Sequence, residues 1–286
     1  MSQEPALLVA TDLDGTLLDE WTYAHDAADP ALRALAARKA LIVLCSSKTR
    51  AEMAPLVRLL APGGPFIGEN GGILVVPESQ LSSVPDARRE GDAWLLELGV
   101  RRDVLAPALG SIARETGLAL RSFTRLPLEE AAALTGLDLE ATALAQDRRY
   151  DEPFLLDDPS ALPAVEAAAR SRGLRVTRGG RFHHLTGPTD KGRALRVLLG
   201  LYATAGRSFR TLALGDSTND LPLLQAVDRA IVVPRPGGGP DASLRAALPD
   251  AELAPEAGPS GWNAAVLAVL RGERLPRVSG PGRGDA

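Results

Sequence analysis

Two short stretches far apart in the chain concentrate oxygen donors that suit phosphate and divalent-cation chemistry. Asp12 and Asp14 flank Leu13 and are followed by Gly15, while Asp216, Asn219 and Asp220 fall within Gly215-Asp-Ser-Thr-Asn-Asp220. Each stretch follows an apolar run, Leu7-Leu8-Val9-Ala10 in one case and Thr211-Leu-Ala-Leu214 in the other. Four carboxylates gathered in one cleft need compensation, and an oxygen-seeking Mg²⁺ provides it while neutralising a phosphate oxygen under attack. Lys191 offers a second positive charge, and Ser46 with its neighbouring N–H groups offers hydrogen bonds to the same anion. Asp12 emerges first from its strand and is the expected nucleophile, forming an aspartyl phosphate. Asp14, across a turn that Gly15 permits, is placed to protonate the leaving oxygen and then take a proton from water. Its backbone carbonyl could also face the metal beside Asp12. Asp216 is the expected carboxylate ligand from the distant segment, with Asn219 or Asp220 orienting metal-bound water or Lys191.

Each element has a plainer reading. An isolated Asp-Xaa-Asp-Gly run is an ordinary turn, and Asp216 to Asp220 resembles a helix N-terminus with a solvated acidic loop. Lys191 alone reads as a surface residue, and Ser46 as the cap of the following helix. The conjunction of all four at strand ends is harder to assign to capping.

The elements that must bring them together alternate. The spacing predicts strands over 7–10, 41–44 and 73–76, a brief one at Phe66-Ile67, and helices over 30–39 and through Met53 to Leu60. Such alternation implies an α/β fold, a doubly wound Rossmann-like parallel sheet with ligands beyond the carboxyl ends of its strands. The pattern changes after Pro77. Polar residues 78–92 lead to helices at about 101–115, 127–134, 138–147 and 159–171, with short strands near 118–121, 154–156, 174–176 and 181–184. This predicts a smaller α+β unit inserted into the sheet domain. The first pattern returns with a helix from Thr189-Asp190-Lys191-Gly192, the strand before Gly215, and a strand at 230–233. The division expected is 1–84 and 187–286 for the larger unit and 85–186 for the insert.

The bulk properties narrow the partners. With 32 basic and 36 acidic residues the formal charge is -4, which provides no broad field for nucleic acid. Cys45 is the only cysteine, so no disulfide forms within the chain, and its apolar neighbours predict a buried thiol. No apolar stretch has the length of a membrane span and the first residues lack a basic secretory start, so residence in the cytoplasm is expected. His183 and His184 point to opposite faces of any strand, which weakens a zinc reading. Trp21 and Tyr23 follow the first acidic motif, where they could rim a cleft or pack against the insert.

Taken together these residues resemble the haloacid dehalogenase-like hydrolases. Asp12-Leu-Asp-Gly-Thr-Leu-Leu18 is similar to the family's nucleophile motif, Ser46 to its second, Lys191 to its third and Gly215-Asp-Ser-Thr-Asn-Asp220 to its metal-binding fourth. The insert resembles the type C2B cap of the Cof-like branch. Within that branch, Ser46-Ser-Lys-Thr-Arg-Ala-Glu52, Pro65-Phe-Ile-Gly-Glu-Asn-Gly-Gly72, Tyr150-Asp-Glu-Pro-Phe154, Gly180-Arg-Phe-His-His-Leu185 and Val233-Pro-Arg-Pro236 are similar to the mannosyl-3-phosphoglycerate phosphatase family. The resemblance implies Mg²⁺-dependent conversion of 2-O-mannosyl-3-phosphoglycerate to mannosylglycerate and phosphate, in synthesis of a compatible solute. Phosphatases of glucosyl-3-phosphoglycerate or another sugar phosphate are the nearest alternatives, with a noncatalytic phosphosugar-binding module behind them. It further implies that Ser47, Lys48 and Arg50 help hold the ester, that Glu69 and Asn70 meet hydroxyls, and that Arg178, Arg181 and His183 offer the cap's contacts to a carboxylate. The expected partner is this small anionic ester, with no nucleic acid and no membrane, bound by a monomer or homodimer.

Overall fold

The computed structural model describes residues 5–179 and 182–278 of the chain. Its first stretch contains β1 (Ala6–Thr11), α1 (Asp29–Ala37), β2 (Leu41–Cys45), α2 (Arg50–Leu60), β3 (Phe66–Gly68), β4 (Ile73–Pro77), β5 (Arg88–Glu90) and β6 (Ala93–Glu97). The middle stretch contains α3 (Arg102–Thr116), β7 (Leu120–Ser122), α4 (Leu128–Thr135), α5 (Leu139–Gln146), β8 (Asp151–Leu156), α6 (Leu162–Arg170), β9 (Arg175–Gly179) and β10 (Phe182–Thr186). The last contains α7 (Lys191–Thr204), β11 (Phe209–Gly215), α8 (Leu221–Leu224), β12 (Arg229–Val232), α9 (Ala242–Ala247), β13 (Glu252–Leu253) and α10 (Gly258–Leu270).

Nine strands form one sheet in the order β13-β12-β11-β1-β2-β3-β4-β6-β5, parallel from β13 to β3 and antiparallel beyond. β1 lies at its centre because its side chains are apolar on both faces, as a strand covered twice by helices requires. Val9 packs with Leu35, Met53 and Trp262 from α1, α2 and α10, whereas Leu8 and Ala10 pack with Leu195, Leu198 and Tyr202 from α7. The Trp262 Nε1–H donates to Thr11 Oγ1 at 2.9 Å and ties α10 to the end of β1.

The other four strands form an antiparallel sheet, β7-β8-β10-β9, whose one face is covered by α3 and α6 through Leu105, Leu109, Ile112 and Val165. The larger sheet runs past residue 84, because the polar segment read as a crossing contributes the edge strand β5, which pairs with β6 just beyond it. β5 is Arg88-Arg-Glu90, a charged edge strand that an apolar count passes over. The strand expected at 118–121 begins later. Gly117 ends α3 at φ +69°, and the Leu118 N–H donates back to Ala113 O, so Leu118 belongs to the helix terminus. α2 is capped by Thr49, whose hydroxyl accepts the Glu52 N–H while its own backbone N–H donates to the Glu52 carboxylate in a capping box, and not by Ser46. Among the described residues, no helix is long and apolar enough to cross a membrane.

Close backbone contact sets the position of α7. A Cβ on Gly192 would lie 1.9 Å from Pro222 O, so α7 and α8 touch where only glycine fits. Gly200, farther along the same helix, has nothing within 4 Å of an added Cβ. Gly192→Ala is therefore expected to cost about 1–3 kcal/mol in urea unfolding through forced displacement. Gly200→Ala is expected to gain about 0.5–1 kcal/mol by restricting the unfolded chain. Equal effects of the two substitutions would contradict the packing described.

Candidate active site

The acidic residues converge because β1 and β11 are hydrogen-bonded neighbours whose carboxyl ends are in register, Thr11 opposite Leu214. The Asp12 N–H continues the ladder to Leu214 O at 3.0 Å, and the chain then leaves the sheet in a tight turn. Gly15 takes φ +78° there, and a Cβ at that position would sit 3.2 Å from Asp216 Oδ2. Glycine thus serves both the left-handed backbone and the approach of the two segments. Thr16 Oγ1 donates to Asp216 Oδ1 at 3.3 Å across the seam. On the other side Asp220 Oδ2 accepts from the Asp216 and Ser217 N–H groups, which closes the acidic loop on itself.

Lys191 opens α7 and is 1% exposed. Its ammonium donates to Asp12 Oδ1 and to Asp220 Oδ1, both at 2.6 Å. Asp12, Asp216 and Asp220 each present an oxygen within 4.8 Å of the others, so one ammonium faces three buried carboxylates. Burial and the Asp220 charge hold the Asp12 carboxyl well above the usual carboxylate range. The same two causes push Asp216 to about 7. Burial alone would pull the Lys191 ammonium down, yet Asp12 and Asp220 outweigh it and hold it above its ordinary value. The uncompensated negative charge and the all-oxygen donor set fit a hard divalent cation.

Asp14 turns away from this cluster and pairs with Lys48 at 2.9 Å. Lys48 in turn lies 4.8 Å over the Tyr23 ring. Above these groups opens a cleft of about 630 Å³ between the two sheets, with Asp12, Asp14, Ser47, Lys48 and Asp216 on one wall and Arg148, Arg178 and His184 on the other. The second wall is organised by Asp151, a fully buried carboxylate. It accepts from Asn70 Nδ2 at 3.0 Å and from Arg148 at 3.2 Å, and it pairs with His184 Nδ1 at 2.8 Å. Burial would raise its carboxyl, but His184 and Arg148 outweigh that and hold it below the ordinary range. Asn70 Oδ1 accepts from Asn219 Nδ2 at 3.3 Å, and Arg148 donates to Ser47 O at 2.9 Å, so both walls are bonded to one another.

The haloacid dehalogenase-like hydrolase family profile matches residues 9–84. A glucosyl-3-phosphoglycerate/mannosyl-3-phosphoglycerate phosphatase of Methanococcoides burtonii is 39% identical over 92% of this chain and 97% of its own length. The chain belongs to the haloacid dehalogenase-like hydrolases. A mannosyl-3-phosphoglycerate phosphatase of Pyrococcus furiosus is 35% identical over 79% of this hydrolase and 90% of that protein. The fold is likewise that of a haloacid dehalogenase-like hydrolase from Bacteroides thetaiotaomicron, with a TM-score of 0.62, 20% identity, and coverage of 93% and 99% of the two chains.

Of the residues singled out in the hydrolase sequence, Asp12, Asp14, Ser47, Lys48, Arg178, Asp216 and Asn219 line the cleft. Lys191 and Asp220 lie buried against Asp12, and Ser46 is buried at the end of β2 with its hydroxyl accepting the Lys48 N–H at 3.2 Å. Arg181 falls outside the described residues. Four side chains go elsewhere. Arg50 pairs with Glu90 on the edge hairpin, a partner that the polar reading of 78–92 concealed. Glu69 is buried and accepts the Arg149 and Tyr150 N–H groups at 2.8 and 2.7 Å, and burial pushes its carboxyl to about 7. It holds the chain entering β8 and does not line the cleft. Asn70 is committed to Asp151 and Asn219 as described. His183 pairs in register with Phe154 and packs against its ring at 5.6 Å on the helix-covered face, so His184 is the histidine that lines the cleft. The Asp14 carboxylate is outside the three-carboxylate cluster because Lys48 draws it away.

Arg148 has no place in the sequence reading, and Asp151, His184 and Arg235 stand there inside motifs without a role in the cleft. Arg235 lies between two prolines and reaches Asp216 Oδ2 at 3.5 Å. The signal for Asp151 is a pair of carboxylates, Asp151 and Glu152, opening a strand that continues Pro-Phe-Leu-Leu, positions that burial allows only with partners.

Lys191→Met removes the counter-charge and leaves Asp12 and Asp220 buried, which is expected to cost about 3–5 kcal/mol in urea unfolding at pH 8 without divalent cations. The Asp12 and Asp216 pKa values are raised by folding, so the folded state binds more protons and its stability falls as pH rises from the ordinary carboxylate range toward about 7. The deficit of the variant should therefore shrink as pH is lowered from 8 to 6. A pH-independent deficit would show that these charges do not set the local energetics.

Proposed function

We propose that this hydrolase is a Mg²⁺-dependent phosphatase of glycosyl-3-phosphoglycerates, with 2-O-mannosyl-3-phosphoglycerate as substrate and mannosylglycerate and phosphate as products. The observation that carries this reading is the cleft itself. One wall presents an aspartate with one oxygen held by a buried lysine beside two further carboxylates, and the facing wall presents Arg148, Arg178 and a His184 fixed by Asp151. The first wall suits a phosphoryl group and the second a carboxylate, and a phosphoglycerate carries both. The names of the relatives in Methanococcoides burtonii and Pyrococcus furiosus support the same substrate class.

Asp12 is the proposed nucleophile. Its Oδ1 accepts from Lys191, which leaves Oδ2 to form the bond to phosphorus as the ester P–O bond breaks. Asp14, exposed enough to reach the leaving group, gives its proton to the departing glycerate oxygen. It then takes a proton from the water that attacks the aspartyl phosphate, releasing phosphate and regenerating Asp12. Lys191 and Lys48 stabilise the charge that gathers on the phosphoryl oxygens. Asp12, Asp216 and the Asn219 loop, with the Asp14 carbonyl, would hold Mg²⁺, which supplies charge neutralisation at the phosphoryl group. Arg148 and His184 bind the glycerate carboxylate, and Ser47 completes the ester's cradle.

With 2-O-mannosyl-3-phosphoglycerate, its glucosyl counterpart, sucrose phosphate, mannose phosphate and 3-phosphoglycerate offered in Mg²⁺, phosphate release is expected from the first two. Turnover of sucrose phosphate in preference to both would reject the substrate class. Asp216, pushed up to about 7 by burial and the Asp220 charge, must lose its proton before a cation binds, so Mg²⁺ affinity measured by calorimetry should rise with pH through that value. An affinity flat between pH 6 and 8 would contradict the role given to Asp216.

A further inference from the structure

Trp21, Tyr23, Phe123 and Phe182 line the cleft and the chemistry above uses none of them; Phe123 and Phe182 pack on each other with ring centroids 4.9 Å apart, whereas Trp21 and Tyr23 stand at the other wall. Trp21 is 65% exposed, more than any other large hydrophobic residue of those described, and it lines the cleft beside Asp14, Tyr23 and Lys48. Leaving an indole in water forgoes the burial of a large apolar surface, which draws attention when the residue faces a binding site.

The loop that carries it is built, not slack. Asp19 Oδ1 accepts from the Trp21 N–H at 3.1 Å, the Thr22 N–H at 2.8 Å and the Thr22 hydroxyl at 2.9 Å. The Asp19 N–H donates to Ala24 O at 2.9 Å, and the Tyr23 N–H donates to Asp19 O at 3.1 Å. Those donors hold the Asp19 carboxyl below its ordinary range. Tyr23 sits at φ +58°, a left-handed conformation that costs a residue with a Cβ about 1 kcal/mol and persists only where surrounding bonds impose it. The consequence of this geometry is that the Tyr23 ring meets the Lys48 ammonium, itself paired with Asp14. A strained, cross-braced turn therefore holds one aromatic ring against the reacting end of the cleft and leaves another open beside it.

We propose that Trp21, backed by Tyr23, is the platform on which the sugar ring of the substrate stacks. The assignment rests on the glycosyl-phosphoglycerate reading. A pyranose offers one face of C–H groups ringed by hydroxyls, and an exposed indole offers a flat apolar face with a polar edge, so the two match in shape and polarity. Glu20 and Glu52, which also line the cleft, are acceptors suited to the hydroxyls at the ring's rim. The phosphoryl and carboxylate groups already have cationic or hydrogen-bonding partners, so the sugar is the part of the substrate without one, and Trp21 is the most exposed of the large hydrophobic side chains lining the cleft.

Calorimetric binding in an Asp12→Asn background, where no P–O bond to residue 12 can form, separates the claims. Mannosyl-3-phosphoglycerate and sugar-free 3-phosphoglycerate are titrated with Mg²⁺ into that protein and into versions that also carry Trp21→Ala or Trp21→Phe. The ratio of the two affinities is expected to fall about three- to tenfold with alanine and to be largely kept with phenylalanine. Tryptophan emission should change with the glycosyl ester, and Trp21→Ala should abolish the change, because Trp262 is buried and Trp94 has its indole N–H bonded to Leu81 O. Tight binding of the glycosyl ester with an affinity ratio indifferent to Trp21 overturns the platform and leaves the substrate reading standing. No binding of the glycosyl ester, together with no turnover of it by the unsubstituted protein, overturns both.

Discussion

Everything at the catalytic end of this fold follows from placing three carboxylates and one ammonium at the ends of two adjacent buried strands. Asp12, Asp216 and Asp220 cannot all stay ionised there without compensation, and Lys191 supplies only part of it. The cluster is stable enough to exist because its polar atoms are bonded: Asp220 to Lys191 and two N–H groups, Asp216 to Thr16, Asp12 to Lys191. The lysine reaches Asp12 because α7 lies against α8 at the distance of touching backbones, which Gly192 allows. Packing in the sheet layer thus sets the spacing of charges at its edge, and the charge left over is what makes the site receptive to a cation.

A second buried carboxylate organises the opposite wall by different means. Asp151 is satisfied within the protein by Asn70, Arg148 and His184, so it acts as an orienting anion rather than a ligand. Asn70 also meets Asn219, and Arg148 also meets Ser47, so these bonds cross from the four-stranded sheet to loops of the nine-stranded one. Glu69 and Thr49 add further crossings, to the Arg149 and Tyr150 N–H groups and to Leu144 O. Because these links are hydrogen bonds to defined partners, the walls keep one register, with Arg148 and Lys48 both lining the cleft.

The parts legible in the sequence were those with local signatures. Asp12, Asp14 and Asp216 stand directly after apolar strands, Gly15 marks the turn, and Lys191 follows the helix cap Asp190, so strand topology alone implies their convergence. The helices of the middle segment were legible from apolar spacing. Residues whose direction depends on pairing across the chain were not. The choice between His183 and His184 is a matter of parity, decided when His183 falls opposite Phe154 and His184 opposite Pro153. Arg50 has a partner in Glu90 only because a polar segment forms an edge hairpin, and the hydrogen bonds of Glu69 exist only once β8 has been brought beside the loop that follows β3. Asp151 opens its strand as a carboxylate, but its partners carry no local mark, since they come from residues 70, 148 and 184.

The most direct measurement is the capture of the covalent intermediate. Mixtures of the unsubstituted protein with Mg²⁺ and mannosyl-3-phosphoglycerate, quenched in acid within the first turnover and mapped by peptide mass spectrometry, should hold one phosphoryl group on Asp12. The group should be absent when Mg²⁺ is withheld. Release of phosphate by the unsubstituted protein with no phosphoryl group ever found on Asp12, or with the group on another residue, would contradict the assignment of Asp12 as nucleophile.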